Sequence, residues 1–253
     1  MDVEKQVIIL GMHRSGSSLL ASICNSLGVN MGSDLLEGLK DNPLGHYEDK
    51  CFVKLNEDIL KACDASWDLP ASFDKTISVK PKFNNCIQDL INSKTGIWGW
   101  KDPRTSLTID LYQPYLTNPV YIWCRRDKLK IANSLFERDG IPIWAGIKIF
   151  EIYESRVKEF LSRQDRPQLI VENHKLLMET PKTVLEITEF LKLDKNKINL
   201  EEAIGRVKDK KTLAEAKENI INTKNKKHSI FRPLRKYLKK LPVTTGWRYR
   251  NLK

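Results

Sequence analysis

Short apolar runs alternate with helix-length segments along this 253-residue chain, and that alternation constrains its fold more than any other feature. The first run, residues 7–10 (VIIL), is uniformly apolar and mostly β-branched, which is typical of a strand buried on both faces of a parallel sheet. Further strand candidates lie at residues 97–100, 120–124 and 169–171. We therefore predict an α/β fold, a three-layer sandwich with a central, mainly parallel sheet flanked by helices.

Helical patterns fill much of the sequence between these runs. They cover residues 17–27, 50–62, 129–138, 144–163 and 180–191. In parallel sheets, ligands bind beyond the carboxyl ends of the strands. We therefore expect the chemistry of this protein at the residues that follow Leu10, Trp100 and Cys124.

The net charge of +11 is concentrated at one end of the chain. Residues 206–253 contain 16 Lys and Arg against 3 Asp and Glu, whereas residues 1–205 contain 27 against 29. We predict a near-neutral domain over 1–205 and a basic C-terminal extension over 206–253. Residues 230–241 have the spacing of a basic amphipathic helix. Such a helix either packs on the domain over 1–205 or docks on an anionic membrane surface or glycan. No nucleic-acid-reading module accompanies the charge, so we expect no nucleic-acid partner.

Several classes of protein are excluded by composition. No apolar run approaches the roughly 18 residues of a membrane-spanning helix, and residues 1–5 lack the pattern of a secretory signal. The five cysteines and four histidines have no metal-ligand spacing, so we expect reduced thiols and no metal. We expect a cytoplasmic protein, with the basic extension as the part that can hold it at the inner face of a membrane.

The loop after the first strand, residues 11–18 (GMHRSGSS), has the features of an anion site. It joins a strand to a helix, where backbone N–H groups can hold a phosphate. Both glycines and the last serine match the nucleotide loop GxxxxGK[ST], but Ser17 replaces the lysine. The cation is instead Arg14, and no strand ending in Asp offers an evident magnesium ligand. We expect a P-loop-like site for a nucleotide that has no triphosphate and needs no Mg²⁺.

This loop resembles the 5′-phosphosulfate loop of the sulfotransferase family, and the chain is most similar to bacterial carbohydrate sulfotransferases. The resemblance covers about residues 6–193 and implies a fold like that of the P-loop NTPases. It implies 3′-phosphoadenosine 5′-phosphosulfate (PAPS) as cosubstrate, adenosine 3′,5′-bisphosphate (PAP) as product, and no metal. It also implies that the cosubstrate is bound by the loop residues His13, Arg14, Ser15, Gly16, Ser17 and Ser18.

A second motif follows the strand at 120–124. In the family, an arginine at the end of this strand and a serine eight residues later hold the 3′-phosphate, and the resemblance assigns these roles to Arg126 and Ser134. Eight residues span about two helical turns plus the helix entry, so both side chains can face one phosphate. Arg125 is an alternative to its neighbour. Asn173 stands where the family usually has a tyrosine, and the adenine contacts are unassigned.

Sulfonyl transfer requires a base that takes the acceptor's proton. Residues 42–49 (NPLGHYED) resemble the family segment whose acidic residue is that base, which implies Glu48. His46 is the rival, because an unperturbed imidazole titrates near neutrality. Glu48 and Asp49 can instead simply place negative charge at the start of the helix that begins near Lys50.

The reaction also requires cations for the charge that develops on the sulfonate and the leaving oxygen. Residues 98–104 (WGWKDPR) resemble the family's Lys-Asp-Pro segment, whose lysine approaches the bridging oxygen, which implies Lys101. Asp102 can orient Lys101 or Arg104, or be the base itself, and Arg104 can equally form a surface ion pair. Four tryptophans can stack on a sugar, although core positions are commoner for aromatic residues in such segments. These are Trp98, Trp100, Trp123 and Trp144.

Together these features predict a PAPS-dependent sulfotransferase that acts on a hydroxyl, with a carbohydrate in cell-surface polysaccharide or glycolipid synthesis as the expected acceptor. Its catalytic residues would be Glu48, Lys101 and Arg14, with His46 as the rival base. The alternatives are a P-loop small-molecule kinase and a non-catalytic module that binds anions or docks on membranes.

Overall fold

A computed structural model describes residues 4–38, 45–194 and 198–207. Its centre is a sheet of four strands, all parallel, in the order β2-β1-β3-β4. The strands are β1 (Lys5–Leu10), β2 (Ile97–Lys101), β3 (Pro119–Arg125) and β4 (Gln168–Glu172). The four predicted strands and their parallel arrangement are confirmed.

Helices connect these strands. They are α1 (Ser17–Ser26), α2 (Lys50–Ala62), α3 (Phe73–Ser78), α4 (Lys80–Asn92), α5 (Thr105–Tyr112), α6 (Lys128–Asp139), α7 (Ile143–Ser162), α8 (Asn173–Met178) and α9 (Thr180–Leu191), with a 3₁₀ turn at Gln113–Tyr115. Residues 200–207 are also helical. The helical patterns read from the sequence correspond to α1, α2, α6, α7 and α9, and they omitted α3, α4, α5 and α8.

The side chains of β1 alternate between two cores on opposite faces of the sheet. Val7 and Ile9 pack with α1 and α9, whereas Ile8 and Leu10 pack with α2, α4, α5 and α7. All four side chains are at most 1% exposed, as the uniformly apolar run predicted. Helices therefore cover both faces, and the three-layer sandwich is confirmed.

Three of the four tryptophans belong to the protein interior. Trp98 and Trp100 stack on Phe52 of α2, with ring centroids 6.2 and 4.5 Å away. Trp123 is also buried, whereas Trp144 at the start of α7 is 44% exposed. The core interpretation therefore applies to the three strand tryptophans, and Trp144 is a surface residue.

The sheet places the ends of three strands at one edge. Ile9 pairs with Lys101 of β2, and Leu10 pairs with Trp123 of β3, so the loop after β1 lies between the carboxyl ends of both neighbours. Gly11 is needed there because a Cβ at this position would lie 2.7 Å from the Cys124 carbonyl oxygen. The loop therefore packs directly on β3.

None of the described helices is both long and apolar enough to cross a bilayer. All five cysteines are free thiols, and Cys24, Cys63 and Cys124 are buried. The predicted domain boundary near residue 205 stays a prediction, because residues 208–253, with the amphipathic segment 230–241, lie outside the described residues.

Candidate active site

A cavity of about 280 Å³ opens beyond the carboxyl ends of the strands. The loop after β1, the segment before α2, the ends of β2 and α6, and the start of α8 contribute to its walls. Nine of the residues singled out in the sequence line it, namely His13, Arg14, Gly16, Ser17, Ser18, His46, Glu48, Lys101 and Arg126. Residues far apart in the sequence thus meet where the parallel topology predicts a ligand.

Two predicted cosubstrate residues are not among the described lining residues. The Ser15 side chain is 1% exposed and lies beneath the loop, where it would contact a Cβ placed on Gly11. Ser134 Oγ accepts a hydrogen bond of 2.8 Å from Arg14 Nε, so Ser134 contacts a residue that does line the cavity. Ser15 is therefore buried under the loop, and Ser134 is next to Arg14.

The backbone of the loop is shaped for an anion. Arg14 and Gly16 have positive φ angles of 68° and 96°, and Gly16 is the N-cap of α1, where no side chain caps the first turn. The N–H groups of a first helical turn have no partner within the helix. Because Gly16, Ser17 and Ser18 line the cavity, this uncapped positive end of α1 faces it.

Gly16→Ala is expected to lower stability and damage the loop. The added Cβ would lie 2.1 Å from Asn173 Nδ2, and the φ of 96° disfavours any side chain. Gly28→Ala is the matched control, because its φ of 94° carries the same strain but nothing lies within 4 Å of the new Cβ. Chemical denaturation should show Gly28→Ala about 1 kcal/mol less stable than the parent and Gly16→Ala at least about 2 kcal/mol less stable.

Asn173→Ala in the Gly16→Ala background removes the obstructing amide. It should recover the part of the lost stability that exceeds the Gly28→Ala effect. Equal losses of stability in Gly16→Ala and Gly28→Ala would show that Asn173 does not obstruct a side chain at position 16.

Lys101 connects the two sides of the cavity. Its ammonium donates to Ser18 Oγ at 3.1 Å and to Glu48 Oε1 at 2.5 Å, and the side chain is 1% exposed. Arg104 Nη1 lies 3.9 Å from the other oxygen of Glu48. A buried carboxylate therefore lies between two cations, in direct contact with the lysine that touches the loop.

Glu48 does not cap the following helix. The neighbouring Asp49 is the N-cap of α2, where its Oδ1 accepts from Cys51 N at 2.9 Å and its Oδ2 pairs with Lys94 at 3.0 Å. Asp49 is therefore the residue that places negative charge at the start of α2, whereas Glu48 lines the cavity. His46 also lines the cavity, so both candidate bases are present there.

Asp102 has a different environment. It is fully buried, and it accepts hydrogen bonds from Arg104 Nη1 and Asn56 Nδ2, both at 2.8 Å. Burial raises the pKa of Asp102, and the charge of Arg104 acts in the opposite direction. Asp102 is not among the described lining residues, and its contacts orient Arg104, which is one of the roles considered for it. Arg104 also pairs with Glu57, and its side chain is only 13% exposed. It is therefore a largely buried cation that contacts two carboxylates.

The two adjacent arginines at the end of β3 differ in their contacts. Arg126 lines the cavity, and its Nη1 donates to the Arg14 carbonyl at 2.8 Å. Arg125 instead pairs with Glu154 and Glu172, both at 3.1 Å. Of the two, Arg126 is the arginine placed to bind a ligand in the cavity.

Sequence reasoning missed Arg138 as a site residue and had noted Asn173 only as a departure from the family pattern. Both line the cavity. Arg138 lies four residues after Ser134 on α6, so helical spacing places the two on one face and could have indicated it. Asn173 begins α8 directly after β4, again at the carboxyl edge of the sheet.

Solved structures share this architecture. The sulfotransferase domain of the Synechococcus PCC 7002 olefin synthase matches with a TM-score of 0.51 and 17% identity, over 79% of this chain and 75% of that domain. The chain has a sulfotransferase fold. Sulfotransferase STF9 from Mycobacterium avium matches with a TM-score of 0.49 and 14% identity, over 83% of this chain and 68% of that protein. No family model and no curated protein sequence matches the chain.

The charges of the cavity in this sulfotransferase fold suit an anionic ligand. Among the described lining residues, Arg14, Lys101, Arg126 and Arg138 are cationic and Glu48 is the carboxylate. His13 adds no positive charge, because burial lowers its pKa well below the usual value and the neighbouring cations, first Arg104, lower it further. The excess of cations, together with the uncapped α1 terminus, gives the cavity a strong preference for negative charge.

Proposed function

We propose that this chain is a PAPS-dependent sulfotransferase that transfers a sulfonate group to a hydroxyl of a carbohydrate or glycolipid. The observation that carries the proposal is the position of Lys101, whose ammonium contacts both Ser18 of the anion loop and the buried carboxylate of Glu48. A cation of this kind, placed between a phosphate-binding loop and a base, is what transfer from a phosphosulfate to a hydroxyl requires.

Donor binding is assigned to residues that meet at Arg14. The loop N–H groups, Arg14, Lys101 and the hydroxyls of Ser17 and Ser18 would hold the 5′-phosphosulfate. Arg126 and Ser134 would hold the 3′-phosphate. Arg126 donates to the Arg14 carbonyl and Ser134 accepts from the Arg14 guanidinium, and these contacts support two neighbouring phosphate sites.

The proposed transfer uses protein groups that line one cavity. PAPS supplies the sulfonate, and the sulfur exchanges its bond to the phosphate oxygen for a bond to the acceptor oxygen. The Glu48 carboxylate takes the hydroxyl proton, and Lys101 stabilises the charge that develops on the oxygen of departing PAP. Burial of both side chains limits competing water.

The charge distribution supports a proposal about the acceptor and the site of action. The basic extension over residues 206–253 supports a role at an anionic membrane leaflet or glycan, where cell-surface polysaccharides and glycolipids are built. We propose that the extension brings the enzyme to its acceptor, and that the cavity performs the transfer.

PAP binding distinguishes the proposed function from its alternatives. PAP should stabilise the protein in EDTA, and Arg126→Ala should weaken its binding about 30- to 100-fold, because a charged hydrogen bond to phosphate is lost. Arg125→Ala is the matched control, since Arg125 pairs with Glu154 and Glu172, and it should change the Kd less than threefold. Isothermal titration calorimetry measures all three affinities.

Two results would contradict the proposal. Tighter binding of ATP with Mg²⁺ than of PAP would indicate a P-loop kinase. Failure to bind either nucleotide would leave a non-catalytic anion-binding module.

A further inference from the structure

The sheet has two edges, and within the described residues only one of them is covered. At the β2 edge, Asn30 N donates to the Ile97 carbonyl at 3.0 Å, and the Asn30 carbonyl accepts from Gly99 N at 2.9 Å. At the opposite edge, β4 pairs with β3 on its inner side, and no described segment pairs with its outer side. An unpaired strand edge of this kind is a template for a further strand.

The hydrogen-bond pattern of β4 identifies the groups that lie on this outer side. Tyr121 N donates to the Pro167 carbonyl at 3.0 Å. Only every second residue of a strand bonds to a given parallel neighbour, so Leu169 and Val171 continue the bonds to β3. The alternate residues direct both their N–H and their C=O groups away from β3. These residues, which we call the open edge, are Gln168, Ile170 and Glu172.

The open edge lacks features that commonly block an edge strand. Residues 168–172 contain no lysine and no proline, and their pairing with β3 continues without a bulge. At the centre of the strand, the Ile170 side chain is 48% exposed. Met178 of α8 and Leu185 of α9, which are 80% and 40% exposed, lie on the two helices that pack against β4. This end of the sheet therefore combines outward backbone groups with exposed apolar side chains, as interaction surfaces do.

We propose that the open edge pairs antiparallel with the open edge of a second copy of this chain, about a two-fold axis next to Ile170. The outward residues are spaced evenly on both sides of Ile170, so this one axis brings every one of them into a hydrogen-bonded pair. Two four-stranded sheets then form one continuous sheet of eight strands. The contact is the same on both copies, so the assembly closes as a dimer.

The side chains of the open edge are complementary to themselves in this arrangement. Ile170 lies opposite Ile170 of the partner subunit, which joins two half-exposed apolar side chains. Gln168 lies opposite Glu172 of the partner subunit, so the carboxylate meets an amide and not a second carboxylate. A parallel arrangement in the same register would instead place Glu172 beside Glu172 of the partner subunit.

The basic residues 206–253 match this edge less well than a second copy does. Glu154 and Glu172, the carboxylates beside Arg125, are both paired with it at 3.1 Å. Neither carboxylate therefore offers the unpaired negative charge that would attract the 16 Lys and Arg of that segment.

Sedimentation of the full chain measures the association. One copy has a mass of 29.3 kDa, so we expect a species of twice that mass, about 59 kDa, to accumulate between about 1 and 200 µM protein. Ile170→Lys places a charge at the centre of the edge on both copies, and it should raise the dimer Kd at least about 30-fold. Leu129→Lys is the matched control. It changes an apolar side chain on α6 that is 51% exposed, and it should leave the dimer Kd unchanged.

Substitutions at Gln168 test the antiparallel register. Gln168→Lys should lower the dimer Kd about three- to tenfold, because each copy gains a lysine opposite Glu172 of the partner subunit. Gln168→Glu should raise the dimer Kd by a similar factor, because two carboxylates then lie opposite each other.

Circular dichroism shows whether each variant is folded, and the two Gln168 variants keep the test decisive if Ile170→Lys does not fold. A mass of 29.3 kDa at every concentration would overturn the inference. So would a dimer whose Kd is the same in the parent, in Ile170→Lys and in both Gln168 variants, because that dimer would use another surface. PAP binding plays no part in these measurements, so the proposed function is tested separately.

Discussion

Lys101→Ala is expected to reduce turnover by about 100- to 1,000-fold, the range seen when a group that stabilises transition-state charge is removed. It should also destabilise the protein, because the Glu48 carboxylate, 8% exposed, would lose its 2.5 Å partner. Arg104, at 3.9 Å, compensates only in part. Breaking one side of a buried ion pair costs about 3–5 kcal/mol, which a domain of typical stability survives.

A double variant separates the two effects of Lys101. Lys101→Ala with Glu48→Gln removes the unpaired charge, so it should recover much of the stability and none of the activity. Lys54→Ala, at a lysine 77% exposed and paired with Asp58, should change stability by less than about 0.5 kcal/mol and leave turnover intact. Urea denaturation and steady-state kinetics provide these values. If Lys101→Ala kept a tenth of the parent activity or more, Lys101 would not be the catalytic cation.

Glu48→Gln is expected to lower kcat by about 100- to 10,000-fold with little change in PAP affinity, because the amide keeps the shape of the side chain but cannot accept the proton. Glu57→Gln is the matched control. Glu57 pairs with Arg104 at 2.9 Å, but its side chain is 58% exposed, and it should retain full activity. Kinetics at saturating PAPS, together with PAP titration, distinguish lost catalysis from lost binding.

His46→Asn tests the alternative that His46 is the base. If His46 is the base, His46→Asn should show the large loss of kcat and Glu48→Gln should be nearly as active as the parent. The direct contact of Glu48 with Lys101 favours the first outcome.

Most of the sheet could be predicted from the sequence because each strand is a short apolar run bounded by polar residues. Five helices were predicted from their helical spacing of apolar residues, and α2 has the predicted bounds of residues 50–62. The helix α4 was missed, although its buried residues Phe83, Ile87 and Ile91 have the same spacing. In α5 this signal is absent, because seven of its eight residues are buried and no polar face alternates with an apolar one. The helices α3 and α8 have only six residues each, too few to show a period.

The positions of site residues could be predicted where a motif follows the end of a strand. They were less predictable where contacts between distant segments determine the environment of a side chain. Lys101 and the loop are adjacent because β1 and β2 are parallel neighbours. By contrast, the environment of Asp102 depends on Asn56, which is 46 residues away, and no local pattern indicates that contact. The choice between Arg125 and Arg126 likewise depends on Glu154 of α7, whose packing against β3 is a tertiary property.

We propose that this cavity transfers a sulfonate group and not a phosphoryl group. The most direct measurement incubates the protein in EDTA with [³⁵S]PAPS, and in parallel with [γ-³²P]ATP and Mg²⁺, against a panel of saccharides and glycolipids, and follows the label into the acceptor. We predict ³⁵S-labelled acceptor with one PAP formed for each sulfonate transferred, and transfer by Lys101→Ala that is about 100- to 1,000-fold slower. Labelling by ³²P with [³⁵S]PAPS left unconsumed would contradict the account.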